Sequence, residues 1–397
     1  MKGQKMAKAF QTDIRRERKK KKIKRFLRRL AIILLVLAAG AALFFTRSTW
    51  IPWFEGILEK AQTITVNDGQ LKEGNFPIHV GENSKTAKML RLGDGLVVAD
   101  DTYINFYTAD GEHKNSIQHL YADPVVKPGD GRVLVYENAG RKLSVMNQKE
   151  TLFETETDGD IYFAKMASNN SYAVVTSAEG FSSYLTVYDK AGEVIYRWAN
   201  SSRITSVDFK SSGYGCYITS FKMNGGSMVT NIYSVSFDSE KVEMTSEDIK
   251  NTAVIRTVKL SDGDMIAVCD DRVIRLDKDG KIKSEKEYKS DLIDFDSSDE
   301  AVSIAVKSIS DESKSKLIII RSDSDEIDID IDEKVKSVSV DSKNTYVLGN
   351  RTMMLFSPSG KQLATANISS DYVDFVYIDD EVLFLGYREI NKIDYGY

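Results

Sequence analysis

The chain has 397 residues, and its three histidines, two cysteines and 59 carboxylates are the groups from which catalytic or metal chemistry would have to be built. A serine nucleophile needs a base beside it, most often an imidazole. His79, His113 and His119 lie in or beside one stretch of sequence, and no Gly-x-Ser-x-Gly elbow accompanies them. His113 and His119 are six apart on a segment that reads as a strand. They share a face there, but the strand rise separates them by about 20 Å, too far to chelate one metal ion. Cys216 and Cys269 are too few for a Cys-rich zinc site or a disulfide-dense scaffold, although one disulfide stays formally open. No Gly-x-x-x-x-Gly-Lys loop cradles phosphate, and Gly213-x-Gly215 sits in a hairpin and opens no helix.

Carboxylates are so abundant that some pair always suggests acid–base catalysis, which depends on geometry and shifted pKa values. Two acidic motifs stand out. Positions 326–333 (EIDIDIDE) alternate, so the carboxylates take one face of a strand and the isoleucines the other. Charges on an outer strand defend against edge pairing, and that is the reading adopted; a calcium site is the alternative. Positions 277–281 (DKDGK) resemble part of a calcium loop but lack the spaced third acid and the distant bidentate Glu, so they read as a hairpin turn. No catalytic, cofactor-binding or metal-binding residue is assigned, no cofactor is expected, and binding residues stay unassigned. The chain is read as not being an enzyme.

The elements that carry these groups are strands. From residue 87 onward, short apolar runs alternate with Gly, Asn, Asp and Ser turns, and hardly any segment is patterned as a long helix. One hairpin pattern recurs eight times, as in MLRLGDGLVVA from Met89, VVKPGDGRVLVY from Val125 and TVKLSDGDMIAVC from Thr257. Its turns, near positions 94, 130, 169, 212, 262, 298, 342 and 379, are 36 to 50 residues apart. That spacing matches a four-stranded propeller blade. A second hairpin falls between successive copies, as in INFYTADGE from Ile104, LTVYDKAGE from Leu185 and VIRLDKDGK from Val273. Two hairpins per period argue against helical solenoids and βαβ arrays. An all-β, eight-bladed β-propeller is therefore expected, with seven blades as the alternative. The last repeat supplies three strands, near 371–378, 381–386 and 388–395, and an open blade would expose an edge. Residues 76–80 are expected to complete it.

Charge divides the chain. Positions 1–29 hold 14 basic and two acidic side chains, a net +12, whereas the remainder holds 40 basic and 57 acidic, a net −17. So acidic a body suits nucleic acid poorly. Positions 30–45 (LAIILLVLAAGAALFF) are uncharged, with Arg28 and Arg29 before them and Trp50, Trp53 and Phe54 beyond. Counting Phe26 and Leu27, with the arginines snorkelling, the run is long enough to cross a bilayer. The basic side is then cytoplasmic. A cleaved signal peptide is the competing reading, because positions 38–42 offer small residues. The resulting layout is a basic cytoplasmic tail (1–29), a transmembrane helix (30–46), a stalk (47–75), with a short amphipathic helix around 53–61, and an extracytoplasmic propeller (76–397).

The repeat LTVYDKAGEVIYRW, positions 185–198, resembles that of quinoprotein-like and WD40-like propellers, in which an Asp-x-x-Gly turn precedes an apolar strand ending in Trp. The whole arrangement resembles a clostridial-type family of single-pass membrane proteins with a propeller-like extracellular domain of unknown function. The resemblance implies a fold and no redox activity, since cofactor-stacking and calcium-binding residues are not found. The expected role is a membrane-anchored, non-catalytic binding or scaffolding module at the cell envelope, with an envelope protein or polymer as partner. An envelope ligand sensor is the alternative, and a carboxylate-based hydrolase or lyase the third.

Overall fold

The computed structural model describes residues 64–66, 75–80, 87–239, 241–322, 326–378 and 381–394. Among them there is no helix, and their strands form eight sheets. Blade 1 is an antiparallel meander of Lys88–Leu92, Gly95–Ala99, Tyr103–Thr108 and His113–Gln118. Blades 2 to 7 repeat it over residues 124–156, 161–200, 203–245, 254–287, 292–331 and 335–367. First strands of neighbouring blades pack side by side, so the first strand of each blade is innermost and lines a central channel. Eight blades are formed, not seven.

Burial explains the sequence pattern. Neighbouring blades share apolar cores, eight among the described residues, and each draws on two consecutive blades. A second strand such as Met265–Cys269 is therefore buried along its whole length, because both of its faces meet a neighbour. β-Branched residues suit a pleated sheet packed on both faces, hence runs such as VLVY and IAVC. Fourth strands lie outermost, and Ile282–Glu287 (IKSEKE) is mostly exposed.

The second hairpin of a blade has its own chemistry. The Asp189 carboxylate accepts the amides of Ala191 at 2.8 Å and Glu193 at 2.9 Å, and the Asp277 carboxylate does the same for Asp279 and Lys281, both at 2.9 Å. These amides hold the Asp277 carboxyl below its usual range. Gly192 and Gly280 close the two turns at φ +86° and +81°, where a side chain would be strained.

Closure follows the sequence expectation. Blade 8 consists of Asp374–Ile378, Glu381–Leu385 and Glu389–Asp394, with Ile78–His79 added antiparallel as its outermost strand. Ile78 pairs with Ile390 and His79 with Glu389, and the Val80 amide donates to the Arg388 carbonyl at 2.9 Å. Ile78 and Val80 enter the core shared by blades 8 and 1. Buried Lys392 donates to Glu381 and, at 3.1 Å, to Asp110 of blade 1, with its ammonium 5.8 Å from the Phe76 ring centre. One side chain thus ties together both ends of the ring.

Three residues of the segment read as a stalk form an unforeseen strand. Ile64–Val66 runs parallel to the outermost strand of blade 7, Gln362–Asn367, pairing Ile64 with Ala364. The segments read as the basic tail, the transmembrane helix and the amphipathic helix lie outside the described residues. Among the described residues, no helix is long and apolar enough to cross a membrane.

Candidate functional site

The channel is lined by first strands, and polar side chains on them meet across blade boundaries. Asp208 of blade 4 pairs with Lys165 of blade 3 and accepts the Thr257 amide of blade 5 at 3.0 Å and the Ser206 hydroxyl at 3.2 Å. Blade 6 repeats this twice toward blade 7. Asp294 accepts the Val338 amide at 2.8 Å and the Ser337 hydroxyl at 2.9 Å. Asp296 accepts the Val340 amide and the Ser339 hydroxyl, each at 3.0 Å. Each carboxylate thus latches its blade to the next. Burial pushes the Asp294 carboxyl up, against the pull of the Val338 amide. Asp374 on blade 8 is raised by burial too, with the nearby Asp294 adding to the shift.

Four cations on the first strands of blades 1, 2, 3 and 5 act on one another around Lys127: Lys88, Lys127, Lys165 and Arg256. Lys165 is held by Asp208, and Arg256 lies 3.3 Å from the Ser297 hydroxyl and 3.9 Å from Asp296. Lys127 is half-buried, and its ammonium makes no hydrogen bond or ion pair among the described residues. Burial lowers its pKa, and Lys165, Arg256 and Lys88 lower it further by repulsion. Two adjoining cavities open here and share Lys165, Asp208 and Arg256. One of about 740 Å³ reaches the first hairpins of blades 3 to 6. The other, of about 410 Å³, has Lys127 in its wall beside Leu90, Val126, Phe163 and Ile255.

The groups singled out in the sequence have other roles. His113 bonds Ser116 at 2.8 Å on an outermost strand, while His119 is buried beyond the strand end with its Nε2 2.9 Å from the Asp100 carbonyl. The two histidines serve different partners. Cys216 and Cys269 are buried free thiols in separate cores, so the disulfide left open is not formed. In EIDIDIDE, Ile327–Ile331 is the outermost strand of blade 6, with Asp328 and Asp330 exposed. Lys286 reaches Asp328 at 2.5 Å and Glu326 at 3.2 Å, and Lys314 reaches Asp332 at 2.7 Å. Glu333 accepts the Arg351 amide at 2.8 Å. Among the described residues, no group of three or more His, Cys, Asp or Glu side chains is placed to hold a metal ion. The channel cations were missed in the sequence, although they interrupt apolar first strands in VVKP, FAKM and VIRTV.

Eight four-stranded meanders around a channel, the last closed by a strand from before the first, make the molecule an eight-bladed β-propeller. The chain belongs to the family of unknown function designated DUF5711, whose profile matches residues 77–394, the closing strand included. Among solved structures it is similar to BamB from Moraxella catarrhalis, with 12% identity and a TM-score of 0.52 over 82% of this chain and 99% of that one. It is also similar to Sqt1 from Saccharomyces cerevisiae, with 9% identity and a TM-score of 0.52 over 84% and 99%. A eukaryotic initiation factor gives 10% identity and a TM-score of 0.51 over 75% and 81%. At such identities the likeness is one of fold. No curated protein matches the chain in sequence.

Proposed function

We propose that this protein is a single-pass membrane protein whose propeller stands outside the cytoplasm as a non-catalytic binding or scaffolding module of the cell envelope. The observation that carries the binding role is the way the ring is fastened. Asp208, Asp294 and Asp296 are committed to amides of the next blade, which makes the channel wall a rigid frame. A rigid frame with loops at both rims suits recognition. The apolar run at 30–45 and the +12 segment before it supply the anchor and its orientation. The −17 body favours a basic or cation-bridged envelope protein or polymer.

Protease added to intact cells tests the location. The propeller should be cut at its loops while an epitope tag ahead of residue 29 survives; a protected propeller would refute the topology. Proximity labelling from the C-terminal domain should then mark envelope components, and a set of cytoplasmic neighbours would refute the envelope role.

A further inference from the structure

Lys127 is an anomaly in the channel. The other three cations each face an acid: Lys165 is bonded to Asp208, Arg256 is near Asp296, and Lys88 acts on Asp374. Lys127 faces only like charge, from Lys165, Arg256 and Lys88, while half removed from water. A half-buried cation without a counter-ion opposes folding, so retaining one at the wall of a cavity calls for an anion that the chain does not supply. The wall also holds Lys165, Arg256 and one acid, Asp208, which Lys165 already occupies, and the remainder is largely apolar. Leu90, Phe163 and Ile255, from blades 1, 3 and 5, line the same cavity, and Ile255 is 41% exposed on an inner strand. A cavity of about 410 Å³ has the size of a small-molecule site, and it combines apolar surface with a cation that no acid among the described residues holds.

We propose that this channel cavity binds a small organic anion, with a carboxylate or phosphate group on Lys127 and the apolar part of the molecule on Leu90, Phe163 and Ile255. Positive charge focused in a cleft draws an anion in although the body as a whole is acidic. The assignment rests on the binding-module reading only in that the propeller binds a ligand. Its assay is blind to location, so its failure is distinct from failure of the protease test.

The probes are phenyl phosphate, benzoate, inorganic phosphate and benzylammonium, titrated calorimetrically into the full chain in neutral detergent. One of the two aromatic anions should bind saturably with one site per chain, and which one binds tighter tells phosphate from carboxylate. Inorganic phosphate should bind more weakly than phenyl phosphate, and benzylammonium should not bind. Lys127→Met should weaken the anion by at least about tenfold, the loss of a charge-assisted contact. Ile255→Ala should weaken the aromatic anions and leave inorganic phosphate unchanged. Lys149→Met, an exposed lysine in the second hairpin of blade 2, should have no effect. Without ligand, Lys127→Met should melt roughly 2 °C higher than the parent chain, because it removes an unpaired charge. A lysine with a purely structural role would instead lower the melting point when replaced. Absence of saturable binding up to about 10 mM of either aromatic anion, or binding unmoved by Lys127→Met, would overturn the proposal.

Discussion

Cys216 and Cys269 lie in adjacent interblade cores, one shared by blades 3 and 4 and the other by blades 4 and 5. Burial pushes the Cys269 thiol up to about 12 and raises that of Cys216 as well, so neither carries appreciable thiolate at neutral pH. An aromatic disulfide reagent should therefore label neither cysteine in the native chain and both after denaturation. Fast native labelling of either one would mean that its core opens locally. Reading such residues from sequence has a clear boundary. That few reactive groups were present, and that DKDGK is a turn, could be read because both depend on composition or on residues within one hairpin. Lys127 could not be singled out, because its isolation depends on what three other blades place around it.

At the level of elements, the hairpins were legible and the latches were not. An Asp-x-x-Gly turn between an apolar third strand and a polar fourth strand is a local pattern, and Asp189 and Asp277 carry it out through amides two and four residues away. Asp208, Asp294 and Asp296 look like any other strand carboxylates in the sequence. They become latches through the stagger between first strands some 44 to 49 residues apart, which no local period encodes. Asp208 is the most consequential, since it is buried, pairs with Lys165 and holds the Thr257 amide. Asp208→Ala should cost about 3 kcal/mol, because it leaves both a channel cation and a buried amide without partners. Ser339→Ala, which removes one hydroxyl from Asp296 and leaves the Val340 amide in place, should cost about 1 kcal/mol. Comparing the unfolding midpoints of the two variants checks the order; equal losses would mean that the latch contributes little beyond one hydrogen bond.

For the whole molecule, closure was legible because strand counting leaves a remainder. Seven repeats supply four strands, the eighth supplies three, and an apolar strand of the right length stands ahead of the first repeat. The short strand Ile64–Val66 was not legible, since three residues are too few to show alternation. The contacts of the closing strand give a sharp expectation for shortened chains. A chain starting at residue 75 keeps Phe76, Ile78 and Val80 and should fold as a monomer. A chain starting at residue 87 exposes the edge of Glu389–Asp394 and removes Ile78 and Val80 from the core they share with Met89 and Leu385. It should self-associate or precipitate, and size-exclusion chromatography of the two preparations decides the matter.

The pairing of Ile78 with Ile390 also has a consequence in time. At about 5–20 residues per second, the three hundred or so residues between them take roughly 15–60 s to synthesise. Seven blades are complete before the partner of Ile78 exists. Throughout that interval Phe76, Ile78 and Val80 have only the blade 1 side of their core and lack Ile378, Leu383, Leu385 and Ile390. The strand that closes the ring leaves the ribosome before every blade, so a long wait for its partner is built into this topology.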